Sequence, residues 1–507
     1  MFSIGMPVFV ALCALGIHQV AVGPIGLKTP PTPPRSLPGA VRVVLTTADS
    51  RFRLAARPTL TFTPARGNVP QTIVVDSTRR FQRMEGFGAA FTDTAAYLLE
   101  KKLPPATRAG VLLKLFSPHP ALGIGLNVMR VPIGASDFTH DARPYSYDDL
   151  PPGQTDPTLA RFSIAHDDAY ILPLIRQARA LDPALKLLAS PWTAPPWMKT
   201  NGQAENPGGR GTLRPAALGP YAAYLARFVA AYRGARAPVD WITPSNEPHQ
   251  QTDYPGMTVP VATEIKIVRL LGPALQRRHS TTHVFGYDDD WQTDVSAHSY
   301  PATLLADPIA RRYVSGLAFH CYFGNPGVMA SVRTHDPGVA LLVSECSSGI
   351  APGAVSDLII ASARNGAGGV VLWNLALDLH GGPRQGAGCN GCRAPVAIDA
   401  RGGATYTSDY DLLGQASTFI KPGAYRVAAT TLATLNTVYI GPHGKPPVGY
   451  SHGAVDDAAF VNPDGSIVLL AYNVSRSAQR VTVRWRGEAF AYALPAGATA
   501  TFVWKGA

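Results

Sequence analysis

The chain has 507 residues, room for a barrel of roughly 250 to 300 residues plus one smaller unit. With 16% charged and 46% hydrophobic residues it is neither disordered nor of low complexity, and 48 Gly with 46 Pro argue against a helical bundle. The formal charge of +11 is carried without a long basic run, since Lys101-Lys102, Arg277-Arg278 and Arg311-Arg312 are scattered pairs. It reads as solubility and weak attraction to anionic surfaces, not as a nucleic-acid footprint.

In chain order, residues 1–27 lack Lys, Arg, Asp and Glu, and Met6–Ile17 has the length of a signal-peptide apolar region. This predicts a secreted or periplasmic protein with an atypical signal, because no basic residue precedes the run. The run is shorter than the ~20 residues of a membrane span, and no later stretch reaches that length free of charge or Pro. Residues 28–40, with Pro30, Pro31, Pro33, Pro34 and Pro38, read as an extended linker. Within 41–80, Val41–Leu45, Arg57–Phe62 and Thr72–Val75 are β-rich.

From 81 to 420, short apolar runs alternate with helical patterns. Strands are predicted near Glu85–Phe91, Leu126–Pro132, Lys186–Pro191, Val239–Pro244, His283–Tyr287, Ser315–Tyr322, Ala340–Ser344 and Gly369–Asn374. Helices are predicted at Thr107–Phe116, Asp167–Leu181, Arg214–Tyr232 and Thr263–Arg278, each with an apolar stripe. Eight strand-helix units close a (β/α)8 TIM barrel of the α/β class, whose chemistry sits at the strand ends. Residues 421–507 return to strands, at Ser466–Ala471, Arg480–Trp485 and Ala498–Trp504, with a hairpin signal at Asn462-Pro-Asp-Gly465. Both flanks together predict a β-sandwich built from the two termini.

Chemistry-bearing residues fall just past strand ends. The fourth strand runs into Asn246-Glu247 and the seventh into Glu345-Cys346. A single Glu there is more often a cap or a surface charge, but two on facing strands can flank a glycosidic bond, one protonating and one attacking. Trp192, Trp197, Tyr322 and Trp373 at the same rim offer flat apolar walls to sugar rings, whereas Trp241 and Phe319 read as barrel core. Asp288-Asp-Asp290 is a weak metal signal and reads as a solvated loop. Cys389-Asn-Gly-Cys392 reads as a loop-closing disulfide. Cys321 and Cys346, on adjacent strands, are expected to stay reduced or pair weakly.

These segments resemble glycoside hydrolase family 30, the group containing the glucosylceramidases. The resemblance rests on Glu85-Gly-Phe-Gly88, Phe91-Thr-Asp93, Asn127-Val-Met-Arg-Val-Pro132, Ser136-Asp-Phe138, Leu188 to Trp197, Lys199-Thr-Asn-Gly202, Asn246-Glu-Pro248, His320-Cys-Tyr322, Ser344-Glu345 and Trp373 to Asp378. It implies a retaining mechanism with Glu247 as acid/base and Glu345 as nucleophile. It also implies that Asp137, Trp192, Asn246, Tyr322 and Trp373 hold the first sugar. Arg130 is read as either holding a carboxylate ionised or forming a buried structural salt bridge, and His320 as supporting the site. No cofactor or metal is required.

Two departures stand out: Cys321 replaces an aromatic of the glucosylceramidase pattern, and Arg384–Arg393 looks like microbial relatives. The expected substrate is a β-glucoside or glycolipid, as for a glucosylceramidase-like β-glucosidase. A secreted endo-β-1,6-glucanase acting on β-glucan is the alternative. A catalytically inactive carbohydrate-binding protein is the alternative of another class, and loss of either glutamate would be its sign.

Overall fold

Eight short runs of apolar residues form the parallel strands β1 Gly86–Ala89, β2 Val128–Pro132, β3 Lys186–Ser190, β4 Trp241–Ile242, β5 His283–Trp291, β6 Val314–Gly324, β7 Ala340–Glu345 and β8 Gly369–Leu372. Covered on both faces, such strands carry near-continuous apolar sequence, and every residue of β2 and β8 is buried. The computed structural model describes residues 39–430 and 454–506, except 66, 68, 70, 294–297, 350–354 and 387. The signal segment expected at 1–27 and all but the last two residues of the 28–40 stretch lie outside the described residues.

The strands pair in the order β1-β8-β7-β6-β5-β4-β3-β2, and a parallel bridge between Ala90 and Arg130 brings β1 back to β2. Gly88 permits this closure, because a Cβ there would meet the Val128 carbonyl oxygen at 1.8 Å. Inside the ring, Val128, Leu188, Trp241, Phe285, Ala318, Leu342 and Val371, one from each of β2 to β8, form an apolar plug beneath the site. Trp241 and Phe319 are therefore core, as the sequence indicated.

Around the barrel run helices α1 Pro105–Phe116, α2 Ile171–Leu181, α3 Leu218–Gly234, α4 Val261–Arg277, α5 Tyr300–Ala306, α6 Gly327–His335, α7 Val355–Arg364 and α8 Ser408–Ser417. In α2, Ile171, Leu174, Ile175 and Ala178 recur at helical spacing and face the strands. The helix expected from Asp167 is broken at Tyr170, where φ is −159°, and its first part is a separate 3₁₀ turn, Ala165–Ala169. The break lets the buried Asp167 carboxylate accept from Tyr147 and Tyr232.

A ten-stranded sheet combines both flanks: Ala40–Thr46 pairs with Thr499–Lys505, and Thr72–Arg83 pairs with Tyr425–Ala429 and Gln479–Trp485. It closes over its own core of Val41, Val43, Ile73, Val481, Phe490 and Phe502. Asn462–Gly465 makes the predicted hairpin, with Gly465 at φ 78° and its N–H donating to the Asn462 carbonyl at 2.9 Å.

Candidate active site

Three strand ends converge on a pair of carboxyls. β4 is only two residues long, so the chain leaves the ladder early and presents Asn246 and Glu247. Glu247 takes φ 40°, a left-handed conformation that a side chain other than Gly or Asn adopts at an energetic penalty, held by its N–H donating to the Asp288 carbonyl at 2.9 Å. Glu345 is the last residue of β7 and is 4% exposed. One carboxylate oxygen from each glutamate and a ring nitrogen of His320 lie within 4.8 Å of one another.

Asp288 organises the groups behind this pair. Its Oδ2 accepts from Arg130 Nη2 at 2.9 Å, from Thr243 Oγ1 at 2.8 Å and from Ser190 Oγ, and its Oδ1 accepts from Ser344 Oγ at 2.7 Å and His320 Nε2 at 3.2 Å. Burial opposes its ionisation, but Arg130, His320 and Ser190 outweigh burial and hold it well below the usual carboxylate range. Arg130 continues the network, donating to Glu345 Oε2 and to Asn246 Oδ1 at 2.7 Å. Tyr322 donates its hydroxyl to Glu345 Oε1 at 2.8 Å.

His320 Nδ1 lies 3.0 Å from Glu247 Oε1, so both ring nitrogens face carboxylates. Burial works against its charge, yet Glu345, Asp288 and Glu247 raise its pKa well above the ordinary histidine value. A doubly protonated imidazole has no lone pair for a cation, so the Glu247, His320 and Glu345 cluster suits proton transfer better than metal binding. Burial pushes the Glu247 carboxyl up to about 6 against the His320 hydrogen bond, with the Glu345 charge adding to the rise.

The opposite wall is aromatic. Trp192 and Trp373 stack with ring centroids 4.8 Å apart, and the Arg130 guanidinium lies 4.7 Å from the Trp192 centroid. Asp137 is buried beside Trp373, and its Oδ2 accepts from the Cys389 N–H at 3.4 Å. Burial, and after it the Glu345 charge, pushes its carboxyl up to about 8. The loop carrying Cys389 is closed by its bond to Cys392. The structure thus gathers Arg130, Asp137, Trp192, Asn246, Glu247, His320, Tyr322, Glu345 and Trp373 at one mouth. Trp197 instead packs against the outer core and donates to Asp148 Oδ2 at 2.9 Å.

Two expectations need correction. Asp288-Asp-Asp290 is no solvated loop: all three are buried in β5. A register shift between Tyr287 and Asp289, with φ 72° at Tyr287 and 52° at Asp288, turns Asp288 toward its cationic partners. Cys321 and Cys346 are bonded rather than reduced, because β6 and β7 bring their Cα atoms to 5.3 Å. Sequence reasoning also missed Tyr254, whose hydroxyl is pushed up by burial and then by the charges of Glu247, Asp137 and Glu345. Nothing in its local sequence marked it.

Residues 84–408 match the glycosyl hydrolase family 30 TIM-barrel domain and residues 423–502 the family's β-sandwich domain. The chain belongs to glycoside hydrolase family 30. Like the family, it is an O-glycosyl hydrolase. Among family 30 relatives, it is 32% identical to endo-1,6-beta-D-glucanase neg1 of Aspergillus fumigatus, over 80% of this chain and 83% of that one. It is 31% identical to the lysosomal acid glucosylceramidase of Mus musculus, over 80% of this chain and 78% of that one. Among solved structures, SrfJ from Salmonella typhimurium superposes with TM-score 0.81 at 25% identity and the endo-beta1,6-glucanase BT3312 with 0.79 at 26%, each covering 92% of this chain and 100% of its own.

Proposed function

We propose that the enzyme cleaves β-glucosidic bonds with retention, Glu345 attacking the anomeric carbon and Glu247 serving as acid and then base. The observation that carries this reading is the spacing of the two carboxyls, within 4.8 Å at their closer oxygens. Retaining enzymes need about 5 to 5.5 Å, whereas inverting ones leave about 6.5 to 9.5 Å for a water. Arg130 and Tyr322 set a positive charge and a hydroxyl donor against Glu345, orienting it for attack. Glu247, raised to about 6, holds a proton to give to the leaving oxygen. Asn246, accepting from Arg130 through Oδ1, keeps its NH2 group as the end able to donate to a sugar hydroxyl. Asp137 grips further hydroxyls, and Trp192 and Trp373 pack on the sugar face.

For the substrate we favour a β-1,6-linked glucan met outside the cell that makes the enzyme. A ceramide aglycone needs an apolar landing surface. Among the described residues, Val74, Phe81 and Tyr425 are exposed on paired sandwich strands, and Leu379 is the one large exposed apolar side chain in the segment that follows β8. Similarity to endo-1,6-glucanases supports the glucan, and the stretch without charge at 1–27 supports export. Glucosylceramide is the second reading, on the similarity to the mouse glucosylceramidase. No described helix is long and apolar enough to cross a membrane.

The deciding experiment incubates the enzyme with β-1,6-glucan and with glucosylceramide, follows the anomer first released by proton NMR, and traps the intermediate with a 2-fluoro-β-glucoside. The β-anomer forms first and peptide mapping finds the label on Glu345. Release of the α-anomer, or a label elsewhere, overturns the assignment. Gluco-oligosaccharides from the glucan without glucose from the lipid support the favoured substrate, and the converse supports the second. For substrates with poor leaving groups, turnover falls as pH rises through about 6, where Glu247 loses its proton.

A further inference from the structure

The disulfide between Cys321 and Cys346 lies inside the reaction centre. Cys321 sits between His320 and Tyr322, and Cys346 directly follows Glu345. Its two neighbours on β6 touch the two proposed catalytic glutamates, His320 facing Glu247 and Tyr322 donating to Glu345. Both half-cystines are 0% exposed.

The bridge also stands where backbone pairing stops. β6 and β7 pair from Gly316 with Ala340 up to His320 with Glu345, with a register shift between Phe319 and His320. Beyond that pair β7 ends, while β6 continues to Gly324 with β5 as its neighbour. Glu345 is therefore the last residue of its strand, without a further β6 partner to fix its direction. The covalent link falls on the next residue. On the other side the Cys346 carbonyl accepts from the Trp373 N–H at 2.8 Å, so one residue ties the end of β7 to β6 by a bond and to the sugar wall by a hydrogen bond.

We propose that Cys321 and Cys346 are positioning residues, whose bridge replaces the missing ladder and fixes Glu345 against Tyr322 and His320 against Glu247. The proposal rests on the assignment of those glutamates to the chemistry. Misplacing reacting groups by about 1 Å lowers turnover about a hundredfold, so the link acts on kcat more than on substrate affinity. The Cys389–Cys392 bond, which closes the loop over Asp137, contacts the sugar side and acts on KM.

The test uses the full chain, oxidised, on an aryl β-glucoside and on a β-glucoside with an alkyl leaving group. Cys321→Ala/Cys346→Ala and the better-filling Cys321→Val/Cys346→Ala are compared with wild type, each normalised to active sites titrated with a 2-fluoro-β-glucoside. Expected are a kcat drop of about 10- to 100-fold, a KM within about threefold, and an upward shift of the basic limb of the pH profile for the alkyl substrate. The limb moves up because the His320 hydrogen bond restrains Glu247 from holding its proton. Folded variants with wild-type kcat and pH profile overturn the proposal, as does failure of both to fold, which would assign the bridge to stability alone. Wild type inactive on both glucosides and on β-1,6-glucan would instead overturn the catalytic assignment on which the proposal depends.

Discussion

Two groups of buried acids lie at different places in the molecule and are treated differently by it. At the barrel mouth, Glu247, Asp288 and Glu345 are threaded by Arg130 and His320, and each carboxyl meets a cation or a fixed donor. Where α7 meets the sandwich strand Val455–Val461, Asp357 lies beside Asp456, and Arg364 is the guanidinium that acts on Asp456 and Asp457, donating to Asp457 at 2.8 Å. Neither oxygen of Asp456 has a donor from any ordinary ionised neighbour. Asp357 is the neighbouring acid, and the Asp456 charge adds to the rise that burial imposes on it. Burial raises Asp357 well above the ordinary carboxyl value and pushes Asp456 and Asp457 up to about 6. Matched charge keeps Asp288 ionised at the mouth, whereas burial makes Glu247 and Asp137 hold protons there and does the same throughout the second group.

The largest effect separates the two groups by function. Glu345→Gln, which keeps the shape and removes the charge proposed to attack, lowers turnover by at least about ten-thousand-fold. Asp456→Asn leaves kcat on the same substrate within about twofold. Steady-state kinetics on one aryl β-glucoside checks both, and a comparable loss in the two variants would break the distinction.

Next comes the hub. Asp288→Asn strands Arg130 and His320 beside a neutral amide, and removing one member of a buried ion pair destabilises by about 3–5 kcal/mol. Urea unfolding measures the loss. A change below about 1 kcal/mol would show that Arg130 is satisfied by Glu345 and Asn246 alone.

Asp288 also marks where the sequence stopped being legible. The barrel was readable because its strands are continuous apolar runs, and the placement of the two glutamates at strand ends because each follows such a run. The ends of the chain were readable as sandwich strands for the same reason. Asp288-Asp-Asp290 defeated that logic: three acids in a row look solvated until a one-residue register shift hands Asp288 to cations from β2 and β6, Asp289 to His249 and Asp290 to the Tyr322 and Phe323 N–H groups. The Cys321–Cys346 bond depended on how closely two strand ends approach, which spacing along the chain does not encode. Nor could Asp357 be matched with Asp456, since they meet only when the sandwich docks on α7.

The acids at α7 give a smaller effect with a definite sign. With folded pKa values above the ordinary unfolded value near 3.9, Asp456 and Asp457 bind more protons folded than unfolded between about pH 4 and 6. Stability from this site is therefore greatest in acid and declines as pH rises through that window. Asp456→Asn removes one of the titrating groups, so it stabilises the protein by roughly 1–3 kcal/mol at pH 7.5 and by much less at pH 4.5. Urea titrations of wild type and variant at the two pH values check it. Equal differences at both would mean that Asp456 does not titrate there.

The smallest effect sharpens the comparison inside the mouth itself. Glu247 is raised chiefly by burial, which Glu345→Gln leaves in place; His320 still opposes the rise, and only the repulsion from the Glu345 charge is removed. The Glu247 titration should therefore move down from about 6 by less than about one unit, which is under about 1.4 kcal/mol of interaction. Carbon-13 NMR of labelled glutamates in Glu345→Gln follows this without any turnover. A fall to the value of a free glutamate would make the neighbouring charge, and not burial, the source of the acid. In that case Glu247 would lose its raised pKa once Glu345 is glycosylated, passing from acid to base as the covalent intermediate forms. A shift of a few tenths of a unit would leave that change of role to the sugar and the leaving group.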